Sequence, residues 1–221
     1  MTQVKICGII NIEDALVAME AGADYLGFIM YPASKRYLTP DTLQAITSQL
    51  RQRANCPKLV GVFVDDSAET VAQLMETCQL DLAQLSGDEP PAMIGDPESP
   101  LYGRSYKALH PTSLAEAEAD AEWYTAPNNG NGSPTLHMDT HHPTLRGGTG
   151  LTADWTIAAH LAQTTPGFML AGGLNPDNVA EAIRVVRPFA VDVASGVEIH
   201  PHQKDHQKIR AFIQNAQAAY L

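Results

Sequence analysis

Hydrophobic positions along the chain fall into short unbroken runs, alternating with longer stretches in which apolar residues recur every three or four positions. The short runs read as strands buried on both faces and the longer stretches as amphipathic helices. "VKIC" (4–7) opens the series, and Asn11 follows as a helix N-cap, with Ile12, Ala15, Leu16 and Met19 on one face. "DYLGFIM" (24–30) is the second strand; Thr39 and Pro40 then open a helix in the favoured cap-then-proline order, with Leu43, Ile46 and Leu50 inward. "KLVGVFV" (58–64) is the third, and Ser67 caps a helix striped by Val71, Leu74, Met75 and Cys78. "DLAQL" (81–85) is the fourth; the proline- and glycine-rich stretch from Asp88 to Arg104 leaves room for a helix of only a turn or two. "SYKAL" (105–109) is the fifth, with Ser113 and Glu116 forming a capping box for its helix. "PTLHMD" (134–139) is the sixth, followed by a helix carrying Trp155, Ala158, Ala159 and Ala162. "FMLA" (168–171) leads to Asn175, Pro176 and the stripe Val179, Ala182, Ile183 and Val186. "FAVDV" (189–193) leads to a last helix with Ile209, Phe212, Ile213 and Ala216 inward.

Eight strand–helix units in series imply right-handed crossovers and a parallel sheet. In 221 residues they predict one closed (β/α)8 TIM barrel spanning 1–221 as a single α/β domain. A doubly wound open sheet is the alternative, and it more often has five or six strands. Two loops break the rhythm. "APNNGNGSP" (126–134) joins a helix to a strand, so it belongs at the bottom of a barrel and reads as an insertion without chemistry. "THHPTLRGGTGLT" (140–152) leaves a strand toward its helix, on the face where barrels build their chemistry.

Composition narrows the function classes. The 44% hydrophobic content supports a normal core, and no run of about 18 apolar residues suggests a membrane span. "MTQVK" lacks the basic-then-apolar pattern of a secretion signal, which predicts a cytoplasmic protein. Cys7, Cys56 and Cys78 have no metal spacing and read as reduced thiols. A formal charge of −11 argues against nucleic acid and anionic membrane as partners, and makes any anionic substrate depend on a locally positive site.

The strand ends supply that site. Gly172-Gly173 follows the seventh strand and Ser195-Gly196 the eighth; glycines at such turns let backbone N–H groups approach an anion. Loops seven and eight of barrels often bind phosphate, and two such pairs favour that reading over ordinary tight turns. Cys7 and Asp139 end strands one and six and can face each other across the mouth, a thiol and a carboxyl placed to act as base and acid. A free cysteine is otherwise a small core hydrophobe, which is the reading for Cys78 on its helix stripe. Arg36 has the fork that suits a carboxylate, although its spacing alone favours a solvated surface arginine. His141, His142, His200, His202 and His206 lack a familiar ligand spacing and read as loop histidines, so no metal is expected.

The segments "KICGI", "GADYLGFIMYPASKR", "LVGVFV", "LAQLSGDE", "MDT…RGGTG…DW", "LAGGLNPDNV" and "VDVASGVE…KD" together resemble the phosphoribosylanthranilate isomerase family, in order and over nearly the whole chain. The resemblance implies a (β/α)8 barrel catalysing one step of tryptophan biosynthesis. That step is the Amadori rearrangement of phosphoribosylanthranilate to 1-(2-carboxyphenylamino)-1-deoxyribulose 5-phosphate, with no metal or organic cofactor. It implies general base for Cys7, general acid for Asp139, anthranilate binding for Arg36, and phosphate binding for Gly172, Gly173, Ser195 and Gly196. Those roles ask Asp139 to arrive protonated and Cys7 to act as thiolate, demands that pull in opposite senses. A monomer or weak homodimer is expected. Three departures stand out: Ser86 where the family commonly has histidine, Lys35 where it often has proline, and a longer, histidine-rich loop after Asp139. A related indoleglycerol-phosphate synthase would need lysine and glutamate at strand ends, and only Lys107 is offered. A catalytically silent phosphosugar-binding barrel is the remaining alternative, with Ser86 as its mark.

Overall fold

The computed structural model describes residues 1–126, 132–139 and 155–220. Eight parallel strands close into a barrel in chain order: β1 (Gln3–Cys7), β2 (Tyr25–Ile29), β3 (Lys58–Phe63), β4 (Leu82–Leu85), β5 (Ser105–Leu109), β6 (Leu136–Asp139), β7 (Phe168–Ala171) and β8 (Ala190–Val193). The closure is β1 against β8, with Lys5 opposite Asp192. Around it lie α1 (Ile12–Ala21), α2 (Pro40–Leu50), α3 (Ala68–Thr77), α4 (Ala92–Gly95), α5 (Leu114–Tyr124), α6 (Trp155–Thr164), α7 (Val179–Val186) and α8 (His206–Gln217). This is the expected (β/α)8 barrel, and the open-sheet alternative falls on the β1–β8 pairing.

Local chemistry explains the boundaries. The side chains of Asn11, Thr39, Ser67 and Ser113 each accept from a backbone N–H three residues on, satisfying donors that a helix start leaves unpaired. Glu116 reaches back to the N–H and hydroxyl of Thr112, one residue beyond the usual partner in a capping box. The stripes of α7 and α8 are buried as expected. On α6 the correction is Leu161, which is buried with Trp155 and Ala158, whereas Ala159 and Ala162 are only partly so.

A 3-10 turn (Ser195–Val197) and a hairpin of β9 (Glu198–His200) and β10 (Gln203–Lys204) separate β8 from α8, where a direct strand-to-helix turn was expected. At the bottom, Gly132 accepts from the Tyr25 hydroxyl and the Lys58 ammonium, so this end of the 126–134 insertion is tied to the barrel. Residues 127–131, and the 140–152 loop with His141 and His142, lie outside the described residues. No helix among the described residues is long and apolar enough to cross a membrane.

The main correction concerns the barrel interior. Alternate strand residues face opposite sides of the sheet. Val4, Ile6, Leu26, Phe28, Leu136 and Met138 belong to the core shared with the helices. Tyr25, Val60, Leu82, Tyr106, Met169 and Ala190 form a separate apolar plug. Above that plug the interior is polar: Lys5, Gln84, His137 and Asp192 are all buried. The strands are therefore apolar outward and, near the carboxyl ends, polar inward.

Candidate active site

One cavity of about 290 Å³ opens at the carboxyl ends of the strands. Cys7 from β1, Asp139 from β6, Gly172 and Gly173 after β7, and Ser195 and Gly196 after β8 all line it. Six of the seven residues singled out in the sequence thus share one space. Arg36 stands beside it. A β-carbon added at Gly8 would lie 2.5 Å from Arg36 Cδ, so the arginine stem passes over the residue that follows Cys7. Gly8 has φ +72°, a left-handed turn that turns the chain out of β1.

The Arg36 fork is engaged by Glu198: Nε and one terminal nitrogen each donate to its carboxylate at 2.7 Å. This pairing holds Arg36 above its ordinary pKa. A guanidinium has five N–H donors. The edge formed by its two terminal nitrogens keeps three of them, enough for a second carboxylate. Glu198 also accepts from Lys204 at 3.1 Å, and Lys204 donates to the carbonyls of Cys7 at 2.6 Å and Ala194 at 2.8 Å. Burial raises the Glu198 pKa, but Arg36 and Lys204 outweigh it and hold the carboxyl below its usual range. A single carboxylate therefore braces the arginine and, through Lys204, the backbone ends of β1 and β8.

Beneath Cys7 lies a polar layer. Lys5, fully buried, donates to Gln84 at 2.7 Å and to Asp192 at 2.9 Å. Asp192 also bonds His137 Nε2 at 3.0 Å. Burial opposes ionisation of Asp192, yet Lys5 and His137 hold its pKa down to about 2. Burial likewise opposes the charge on Lys5, and Asp192 together with Cys7 and Tyr106 more than restores it. Gly27 makes room for this stack, since a β-carbon there would lie 2.7 Å from the Cys7 sulfur and 3.0 Å from Lys5 Cε.

Burial pushes the Cys7 thiol pKa up; Lys5 pulls it down, Asp192 pushes it up further, and Lys204 pulls it down. The net direction is upward, so the thiol is the resting form at neutral pH. Cys56 and Cys78 line no part of the cavity, and all three cysteines are free.

Ser86 accepts from Gln84 at 3.2 Å, and is thereby joined to the polar layer. Lys107 belongs elsewhere. Its register partners Leu85 and Leu136 are in the outer core, and its ammonium pairs with Glu89 at 2.8 Å beside the Tyr124 ring of α5. A strand-end lysine for synthase chemistry is thus turned away from the mouth. His200 and His202 lie on the β9–β10 hairpin, and His206 bonds Asp14 at 2.7 Å; no cluster that could hold a metal occurs among the described residues.

The polar layer and the Glu198–Lys204 brace escaped the sequence reading. A signal for the first was present: Lys5, Gln84 and His137 each stand two residues before Cys7, Ser86 and Asp139, and residues so spaced on a strand share a face. The second bears on Arg36 through Glu198, 162 residues away in sequence, a pairing with no local signature.

Fold and mouth define a (β/α)8-barrel enzyme whose cavity, with its thiol, carboxyl and glycine turns, lies at the carboxyl ends of the strands. The model of the N-(5'phosphoribosyl)anthranilate (PRA) isomerase family matches residues 4–215, and the chain belongs to that family of isomerases. An N-(5'-phosphoribosyl)anthranilate isomerase of Trichlorobacter lovleyi is 42% identical over 219 residues, covering 99% of this chain and all of that protein. The crystal structure of phosphoribosyl anthranilate isomerase from Thermotoga maritima superposes with a TM-score of 0.83 at 38% identity, covering 99% of this chain and 100% of that one. A phosphoribosyl anthranilate isomerase solved with reduced 1-(o-carboxyphenylamino)-1-deoxyribulose 5-phosphate gives 0.80 at 36% identity, covering 99% and 100%.

Proposed function

We propose that the chain converts N-(5'-phosphoribosyl)anthranilate into 1-(2-carboxyphenylamino)-1-deoxyribulose 5-phosphate in tryptophan biosynthesis, with Asp139 as general acid and Cys7 as general base. The carrying observation is that these two residues, from strands far apart on the barrel, line one cavity with the glycine turns after β7 and β8. The Asp139 carboxyl gives its proton to the ribose ring oxygen. The C1′–O4′ bond breaks, and the nitrogen lone pair forms an iminium at C1′. The Cys7 thiolate then takes the C2′ proton, and the released pair makes the C1′–C2′ double bond of an enolamine, which tautomerises to the ketone. Atoms balance, and the sequence of steps needs no oxidant or cofactor.

The N–H groups around Gly172, Gly173, Ser195 and Gly196 would receive the phosphate. The free edge of Arg36 would receive the anthranilate carboxylate as a bidentate pair. These local donors answer the requirement set by a chain of formal charge −11.

The test is conversion of freshly made phosphoribosylanthranilate, followed by loss of anthranilate-type fluorescence. Binding without turnover would leave only a phosphosugar-binding barrel. The same assay reads the base. Burial raises the Cys7 pKa, and wild-type kcat/KM, which needs a protonated acid and a thiolate together, should trace a bell against pH, whereas Cys7→Ala, which needs only the acid, should only fall as pH rises. The same pH dependence in both proteins removes the thiol as the base.

Glu198→Gln tests the arginine. An amide can accept from only one of the two Arg36 donors and presents its own N–H to the other. Charge-assisted bonds are worth about 1.5–3 kcal/mol. We expect kcat/KM to fall at least about tenfold, mostly through KM, because the carboxylate clamp is loosened while the acid and base keep their strands. An unchanged KM would detach Arg36 from substrate binding.

A further inference from the structure

Two buried polar atoms, on residues that line the cavity, have no hydrogen-bond partner among the described residues: His137 Nδ1 and Asp192 Oδ1. Both residues are more than nine-tenths buried, and both line the cavity that holds Cys7 and Asp139. Buried polar atoms are rarely left unpaired, and those that are usually await a ligand or water. His137 also sits two residues before Asp139 on β6, so the two share the inward face, one layer apart.

The chemistry of these atoms follows from the network. Asp192 is ionised, so its oxygens only accept; Oδ2 already receives Lys5 at 2.9 Å and His137 Nε2 at 3.0 Å. Nε2 must therefore carry the ring proton, and in a neutral imidazole Nδ1 is a bare acceptor. The floor thus offers two acceptors, on two residues already in contact, and no free donor between them. An anion is excluded there, as is a carbonyl. The complementary ligand is a group that donates twice: two neighbouring hydroxyls.

We propose that His137, with Asp192, is a substrate-binding pair that reads the secondary hydroxyls of the ribose, His137 Nδ1 accepting from the C3′ hydroxyl and Asp192 Oδ1 from the neighbouring C2′ hydroxyl. This rests on the proposed reaction and deepens it. The phosphate turns hold one end of the sugar and Arg36 the other, whereas the floor holds its middle, directly below the carbon that loses its proton. Lys5 has a part as well: by fixing Asp192 as an acceptor it fixes the ring tautomer of His137.

The C2′ hydroxyl becomes the ketone, so the informative probe lacks the C3′ hydroxyl. The natural substrate and a 3′-deoxy analogue, made from anthranilate and 3-deoxyribose 5-phosphate, are compared in wild type and two variants. Wild type should favour the natural substrate in kcat/KM by about tenfold to a hundredfold, since the analogue leaves a buried acceptor unpaired. In His137→Gln the amide nitrogen keeps the bond to Asp192 but the Nδ1 acceptor is gone; the two substrates should then differ by less than about threefold. In His137→Asn the side-chain oxygen falls near the Nδ1 position and should restore much of the preference. A purely structural His137 predicts that both substrates fall by one common factor, and that result, or equal use of both substrates by wild type, overturns the proposal. Absence of wild-type turnover on the natural substrate would instead overturn the reaction itself and this inference with it.

Discussion

Cys7→Ala and Asp139→Asn are each expected to lower kcat by about a hundredfold to ten-thousandfold, the usual worth of a positioned acid or base. The loss should fall on kcat with KM little changed, because neither group is assigned a share of ground-state binding. Cys7→Ala is a clean probe. The sulfur is buried, and the backbone around it is held by Lys204 on the Cys7 carbonyl, a contact that alanine leaves in place. Removing the sulfur opens space beside Gly27, where even an added β-carbon would lie 2.7 Å from it, and so creates no clash. The double variant should be little worse than either single one, since proton removal at C2′ has no substrate until the ring has opened. Fluorescence-monitored turnover, with far-UV circular dichroism as the check on folding, reads all three. Near-normal rates in both single variants would refute the assignment of roles.

How much of this was legible in the sequence depends on the range of the interaction. Strand and helix positions followed from apolar periodicity and from caps such as Thr39 before Pro40, because those signals act over a few residues. Cys7 and Asp139 were legible as candidates because a residue ending a strand of a parallel barrel stands at the mouth, wherever the rest of the chain goes. The pairings that give the site its electrostatic character were not legible. Lys5 reads as a polar break in an apolar strand until β8 brings Asp192 beside it, 187 residues away. Arg36 by its spacing looked more like a solvated arginine, and only the hairpin after β8 supplies Glu198 to hold one edge of it. Lys107 shows the reverse case. Its place in the fifth strand suggested a mouth residue, and register alone turned it outward toward Glu89 and α5.

The buried charges explain why the floor of the cavity can be rigid. Taking Lys5 and Asp192 out of water is costly, and such pairs seldom add net stability over an apolar filling. Their return is geometric: Lys5 ties β1 to two other strands, through Gln84 on β4 and Asp192 on β8. Gln84, which also receives the Tyr106 hydroxyl at 3.1 Å, ties β1, β4 and β5 together in the same layer. Ser86, which the sequence resemblance marked as a departure, is attached to that layer through Gln84. The imidazole nearest the proposed acid on its own strand is that of His137.

Gly196→Ala is expected to damage the phosphate site more than any other single-methyl change at the mouth. A β-carbon at Gly196 would lie 1.9 Å from the carbonyl oxygen of Leu174 and 2.9 Å from its carbonyl carbon. Both are backbone atoms of the turn after β7, so no side chain can swing aside to make room. The turns after β7 and β8 touch backbone to backbone at this point, and the added methyl must push them apart by an ångström or more. A displacement of that size at positioning groups costs about a hundredfold in rate. The loss should appear chiefly as a raised KM and as weaker inhibition by inorganic phosphate, since the N–H groups no longer converge. Gly173→Ala supplies the contrast. Nothing lies within 4 Å of a β-carbon there, but its φ of +64° is left-handed, which costs about 1–2 kcal/mol of backbone strain without a clash. That variant should lose stability while keeping its KM within about tenfold. If instead Gly196→Ala binds substrate and phosphate as tightly as the wild type, the anion is not held between these two turns.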